Sequence, residues 1–434
     1  MTNEQKVTWL ASFSHFITHG YMTLLPAVLV VIAGEHSLSF LDIGIIANIG
    51  YFLYGLGAFP AGYLADRFGS KRILTVGVFG MAVSSILVGL SPGASSFAIT
   101  YGILGIFASI HHPAGLSLIA RRVKTTRGKA LGFHGVFGNI GLFMTPMAAA
   151  LSVMIFSTWR AAYVIFGIIG IGFGIILQMT RLEQEPDLSL KNVFDWPGKL
   201  LGSKESKAGK EVGVTGTAEE PGGVGEIAMT VIPVALLVLF MGSILSGFIF
   251  RGSLTFFPTL LQREIYFITS HDEPVVMAGF FTTAILSLGL IGSWFGGYLN
   301  DKIKVPELFP VAIFIIVAPA LYGISRFTDS WLLATGCLFS LVYYAWQPSH
   351  NYLIAKYIKK GSQGVGFGVN FFLIFGMGSI ATAIGGYVSD DYGVDRFYWI
   401  MAIIAFCAML VAIAVLAVRR YQIRFNWKVV KEDG

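Results

Sequence analysis

Four histidines interrupt two long apolar runs in the first third of this chain. His15 and His19 stand four residues apart in "SHFITHG", and His111 and His112 precede Pro113 in "ASIHHPAGLSLIARR". Imidazole titrates near neutral pH, so such a group can carry a proton, hydrogen-bond an anion or ligate a metal. The i, i+4 spacing places His15 and His19 on one face of a helix. A later run repeats the device: Gln347, His350 and Asn351 share a face at i, i+3 and i+4, with Tyr343 one turn earlier. Arg251, Asn139 and Asn370 lie in further apolar runs, and His134 lies towards the end of one. Polar groups in a membrane interior are costly, which makes each a candidate for binding or proton transfer.

What is missing narrows the chemistry. No aspartate or glutamate falls deep inside an apolar run. Arg251 stays charged at any relevant pH and has no acidic partner there, so it invites an anionic substrate. His19 can add a second, pH-dependent positive charge. Zinc ligation needs three convergent ligands, commonly backed by carboxylates. No HExxH motif occurs, and no metal site is expected. The absence of a GxxxxGK[ST] loop speaks against direct ATP drive. The expected energy source is an ion gradient, of protons, with no bound cofactor. Two readings of the His-His-Pro stretch stay open. The histidines orient substrate, or they satisfy carbonyls freed by Pro113.

Helices must position these residues. The chain of 434 residues is 55% hydrophobic and 12% charged, about half the charge of a soluble domain. A membrane-spanning helix needs roughly 20 apolar residues. Twelve runs qualify: 8–33, 41–65, 72–90, 96–120, 128–155, 159–180, 231–261, 275–299, 307–326, 331–355, 364–388 and 396–418. The expected fold is an all-α polytopic membrane protein with 12 transmembrane helices. Most lysines and arginines fall in alternate connections and near the chain ends. That bias predicts both termini in the cytoplasm and explains the net charge of +6 without nucleic acid. Residues 181–226 are polar and rich in Gly, Lys and Glu, a cytoplasmic linker between bundles at 1–180 and 227–434. The expected partners are the lipid bilayer and a small molecule, anionic or amphipathic and drug-like, with the chain a monomer in a bacterial inner membrane.

The halves repeat. "GYLADR" at Gly62 returns as "GYLNDK" at Gly297, 235 residues on. "HPAGLSLIAR" at His112 returns as "QPSHNYLIAK" at Gln347 with the same offset, and "HGYMTLLPAVL" at His19 aligns with "RGSLTFFPTLL" at Arg251. Two pseudo-symmetric six-helix bundles in one orientation place a substrate site between them near mid-membrane.

"GYLADRFGSKR" resembles the loop between helices 2 and 3 that marks the major facilitator superfamily, and "GYLNDKIK" is similar to its weaker second copy. The resemblance implies alternating access, with helices 1, 4, 7 and 10 lining the cavity. It implies a conformational latch at Gly62, Asp66, Arg67, Gly69, Lys71 and Arg72, echoed at Gly297, Asp301 and Lys302. "SHFITHG", "HHPAGLSLIARR" and "RGKALGFHGVFGNIG" resemble fosmidomycin-resistance exporters within that superfamily, which implies proton-coupled efflux. Basic residues paired on helices 1 and 7 also resemble its organophosphate antiporters. Tyr101 stands where many of its proton antiporters carry arginine. Rival expectations are uptake of a carboxylate or phosphonate, a non-transporting sensor and an intramembrane metalloenzyme.

Overall fold

The computed structural model describes residues 1–182, 225–358 and 363–432, and nearly all of the expected linker lies outside them. The described chain is helical. In the first half, α1 (Asn3–His36) is followed by α2 (Phe40–Leu56), α3 (Ala58–Phe68), α4 (Ser70–Gly89), α5 (Ala94–Ala108), α6 (His111–Arg122), α7 (Arg127–Phe156) and α8 (Arg160–Met179). The second half holds α9 (Gly225–Glu264), a short α10 (Tyr266–Thr269), α11 (Pro274–Lys302), α12 (Leu308–Ile324), α13 (Asp329–Tyr343) and α14 (Trp346–Tyr357). It ends with α15 (Gln363–Phe371), α16 (Ile380–Asp391) and α17 (Val394–Glu432). Among the described residues, ten helical stretches are long and apolar enough to cross a membrane. Two of the twelve expected spans fall short of that measure. α12 has only 17 residues, and the span at 331–355, which α13 and α14 share, is not among the ten.

Proline chemistry explains that split and a second one. Pro348 has no N–H for the carbonyl of Tyr344, and its ring crowds that carbonyl. The helix breaks at Tyr344–Ala345. Pro113 stands in the same relation to Ser109, and the helix breaks at Ser109–Ile110. The repeat therefore extends to the backbone. Each break starts a new helix, α6 at His111 and α14 at Trp346. A third irregularity lies between α15 and α16, where Phe372–Gly376 form a π turn and Met377–Ser379 a 3₁₀ turn.

Within the first half, α1 packs along α7 and α4 along α8. Within the second, α9 and α12 pack along α17. The halves meet through α2 with α16, α7 with α11 and α1 with α9. These contacts concentrate towards the face remote from the chain ends. Asp390 accepts from the backbone N–H of Phe40 at 2.8 Å and of Leu41 at 2.7 Å. It thus caps the N-terminus of α2 from the other half, where a carboxylate complements the helix dipole. Below it, Thr382 donates to the Gly44 carbonyl at 2.9 Å and Ser379 to Asn48 at 2.7 Å. A side chain at Gly44 would collide with the Thr382 carbonyl, and one at Gly55 with the backbone of Gly376. Glycine is needed there because backbones touch.

Candidate substrate cavity

A cavity of about 370 Å³ lies between the halves, on the chain-end side of those contacts. One wall comes from α1, α6 and α7: His15, His19, His112, His134 and Asn139. The other carries Tyr343, Gln347 and Asn351, with the rings of Phe250, Tyr344, Trp346, Phe371 and Phe375. Among the described residues, no carboxylate, lysine or arginine lines it.

The local sequence explains this placement. His15 and His19 share a face of α1, as the spacing predicts, and their ring centroids lie 4.6 Å apart. Gly138 on α7 leaves room for the His15 ring, and Gly141 lets the two helices meet at the Phe16 carbonyl. His112 opens α6 directly after the proline break, stacks on Phe371 of the other half at 5.0 Å, and lies 5.1 Å from His15. The His15 Nδ1 is 2.8 Å from the His134 carbonyl.

Seven of the expected site residues meet at this cavity: His15, His19, His112, Asn139, Tyr343, Gln347 and Asn351. Four do not line it. His111 lies behind His15, with its Nδ1 2.8 Å from the Ser14 hydroxyl. His350 is buried on the far side of Trp346, stacked on it at 4.3 Å and bonded to Ser243 at 2.8 Å and to Asn370 at 3.2 Å. Asn370 is fully buried in that network. These two close a polar contact inside the second half. The His-His-Pro stretch thus divides its work: His112 faces the cavity and His111 packs behind it.

Arg251 is the largest departure. It does not mirror His19 into the cavity. It is 2% exposed, held over Tyr51 at 4.1 Å, Phe375 at 5.1 Å, Phe250 at 5.3 Å and Tyr54 at 5.5 Å. Its Nε has no hydrogen-bond partner among the described residues. Phe250 and Phe375 also line the cavity, so the guanidinium sits behind its aromatic wall. Tyr51 and Tyr54 belong to the first half and Arg251 to the second, so the cage spans the interface. A desolvated cation–π contact is worth about 2 kcal/mol.

The motif loop behaves as a local clasp. Asp66 pairs with Arg121 at the end of α6. Arg67 donates to Tyr63 at 2.8 Å, Lys71 reaches the Gln178 carbonyl at 3.3 Å, and Arg72 is exposed. Gly69 has φ +93°, which suits glycine, and Gly62 packs against Pro113, where a Cβ would make ordinary van der Waals contact at 3.5 Å. In the second copy Lys302 lies 5.6 Å from the Tyr298 ring, Gly297 faces open space, and the Asp301 side chain lies outside the described residues. The stronger ionic cluster there is one the motif does not contain. Glu307, the first residue of the expected span at 307–326, stands just before α12 and is fully buried; it pairs with Lys356 at 2.6 Å and Arg419 at 3.2 Å and accepts from Tyr357 at 2.8 Å. Burial pushes its carboxyl up, but the Lys356 and Tyr357 hydrogen bonds outweigh burial and hold it below the usual carboxylate range.

His134 lines the cavity, although its place near the end of an apolar run suggested a peripheral residue. Tyr51, Tyr54 and Asp390 also escaped the sequence reading. Aromatic side chains in a membrane chain carry no spacing signal that separates a cation cage from core packing. Asp390 is one carboxylate in a loop-end pair, Asp390–Asp391, that marks a helix end as readily as a clasp.

Comparisons with known proteins agree with this architecture. The family model described as Major Facilitator Superfamily matches residues 9–382. The Probable hexose phosphate transport protein of Chlamydia pneumoniae is 24% identical over 92% of this chain and 87% of its own length. The Membrane sensor protein UhpC of Salmonella typhimurium is 26% identical over a shorter stretch, 39% of this chain and 38% of that protein. In fold, the chain is similar to a solved bacterial homolog of the human lysosomal transporter Spinster, in an inward-facing and occupied conformation. The TM-score is 0.75 at 15% identity, with 96% of this chain and 98% of that one covered. The two-half helical architecture and the match across most of the chain therefore place this integral membrane protein in the Major Facilitator Superfamily, a family of transporters rather than enzymes.

Proposed function

We propose that the protein is a secondary transporter that carries a small organic anion by alternating access, with protons as the coupling ion. The observation that carries this reading is the composition of the cavity wall. Among the described lining residues, histidine is the only side-chain type whose ordinary pKa lies near neutral, and none is a carboxylate. A cation entering it meets no counter-charge. An anion meets imidazoles on one side and the amides of Gln347 and Asn351 on the other, with the Arg251 charge behind the rings. The hexose phosphate named for the Chlamydia relative supports a sugar-phosphate substrate, and the D-galactonate named for a transporter of Escherichia coli O6:H1, 23% identical over 71% of this chain, supports a sugar acid. A proton taken up by a histidine favours anion binding, so proton and anion travel together. The shorter likeness to fosmidomycin-resistance exporters bears on direction and points the other way, to efflux. The aromatic wall favours a second reading, an amphipathic drug-like substrate.

The test is uptake into proteoliposomes under an imposed pH gradient. A labelled hexose phosphate or sugar acid is expected to accumulate on the alkaline side, and a protonophore to abolish the accumulation. Accumulation that ignores the gradient contradicts proton coupling. Saturable transport of hydrophobic neutral compounds alone favours the drug-like reading.

A further inference from the structure

Five of the eight histidines in the chain gather at one place: His15, His19, His111, His112 and His134. His15 is the hub, 4.1 Å from His134, 4.6 Å from His19, 4.9 Å from His111 and 5.1 Å from His112 between ring centroids. Several ring nitrogens are buried without a hydrogen-bond partner among the described residues, including Nε2 of His15 and of His112. A buried polar atom left unpaired costs about 1–3 kcal/mol, so a group that satisfies two or more of them at once is stabilised there.

Two sets of three present ligand atoms that all lie within 4.8 Å of one another: His15, His111 and His134, and His15, His19 and His112. Ring geometry separates them. An imidazole lone pair lies in the ring plane, so a shared ion must lie in all three planes. The rings of His15, His111 and His134 are stacked within 16° to 19° of parallel, and parallel planes do not meet at a point. The rings of His15, His19 and His112 stand at 61°, 80° and 79° to one another, and their planes intersect. All three line the cavity.

The tautomer of His15 follows from its partner. The His134 carbonyl 2.8 Å away can only accept, so Nδ1 carries the hydrogen and Nε2 the lone pair. A ligating histidine held by a backbone carbonyl through its other nitrogen is the usual outer arrangement of a metal site. Ligand type narrows the ion. Imidazoles without carboxylates suit zinc, nickel, cobalt or copper and disfavour magnesium or calcium.

We propose that His15, His19 and His112 form a three-imidazole site for a divalent transition-metal ion, with its open position towards the cavity. The nitrogens must draw in to the spacing of about 3.3 Å that tetrahedral zinc requires, a motion available to His19, which is only partly buried. Three protein ligands leave one position for hydroxide or an oxygen anion. Metal and protons compete for the same nitrogens, so a bound dication replaces the positive charge that protonation supplies. The site rests on the arrangement of the histidines and stands or falls separately from the anion reading.

The test uses the full chain purified without a polyhistidine tag, stripped with chelator and titrated with Zn²⁺ or Co²⁺ alone. One ion per chain is expected, with the visible spectrum of tetrahedral Co²⁺ and affinity falling as pH drops through the imidazole range. His19→Asn and His112→Asn should each weaken binding by more than the roughly tenfold that loss of an outer partner costs. The exposed loop variant His271→Asn should bind as wild type. X-ray absorption of the zinc-loaded wild type, which needs no variant, should show three imidazoles. Failure to bind either ion overturns the proposal. So does loss of binding in His111→Asn with full retention in His19→Asn, which would put the ion in the stacked set.

Discussion

Among the described residues, no carboxylate meets the Arg251 guanidinium enclosed by aromatic rings, so under the proposed function it acts through its charge. Arg251 was legible in the sequence as an embedded cation without an acid, and that much holds. Its cage was not, because Tyr51, Tyr54, Phe250 and Phe375 come from three separate elements that only the tertiary fold brings together. The consequence is measurable. Arg251→Gln should weaken binding of an anionic substrate by about tenfold, the loss of one charge acting through a partly polar medium. Arg251→Lys should recover most of that affinity, since no bidentate contact is lost. Equal damage from both variants, read by substrate titration of purified protein, would mean that ring packing and not charge is what matters. The histidines were read more fully. Their type and i, i+4 spacing marked a face, and that face lines the cavity. Their mutual convergence was not visible, because His134 and His112 lie 119 and 97 residues after His15 in the sequence.

At the scale of elements, proline and glycine carried most of what could be read. Pro113 and Pro348 each break a span four residues earlier, at equivalent repeat positions, and Gly138 and Gly141 admit α1 against α7. The clasp between halves was not legible, since it joins the end of α16 to the start of α2 across 350 residues. Asp390 gives up both oxygens to backbone N–H groups there. Asp390→Asn keeps the shape but removes the charge and one acceptor, a change worth about 1 kcal/mol for a helix cap. The expected outcome is a shift of several-fold towards the conformation open on the remote face. Labelling of Thr382→Cys by a membrane-impermeant maleimide reads this shift, with the Asp390→Asn background expected to react faster. Unchanged labelling would show that the glycine-mediated backbone contacts alone hold that face closed.

For the whole molecule, hydropathy and the internal repeat yielded the helical membrane fold, and the structure adds which face is joined. The halves touch on the face remote from the chain ends and leave a cavity on the other side, one of the two arrangements alternating access requires. Under the proposed alternating access, moving between them separates α2 from α16 and pulls Arg251 out of a cage shared by both halves. The cavity that moves with them is walled by histidine on one side and by amides and aromatic rings on the other. The central claim is that this space selects anions. It is tested most directly by counterflow in proteoliposomes holding wild-type protein, comparing a hexose phosphate and a sugar acid with the neutral parent sugar at matched concentration. The account predicts that the anions exchange and the neutral sugar does not. Exchange of the neutral sugar or of an organic cation, with both anions inert, would contradict it.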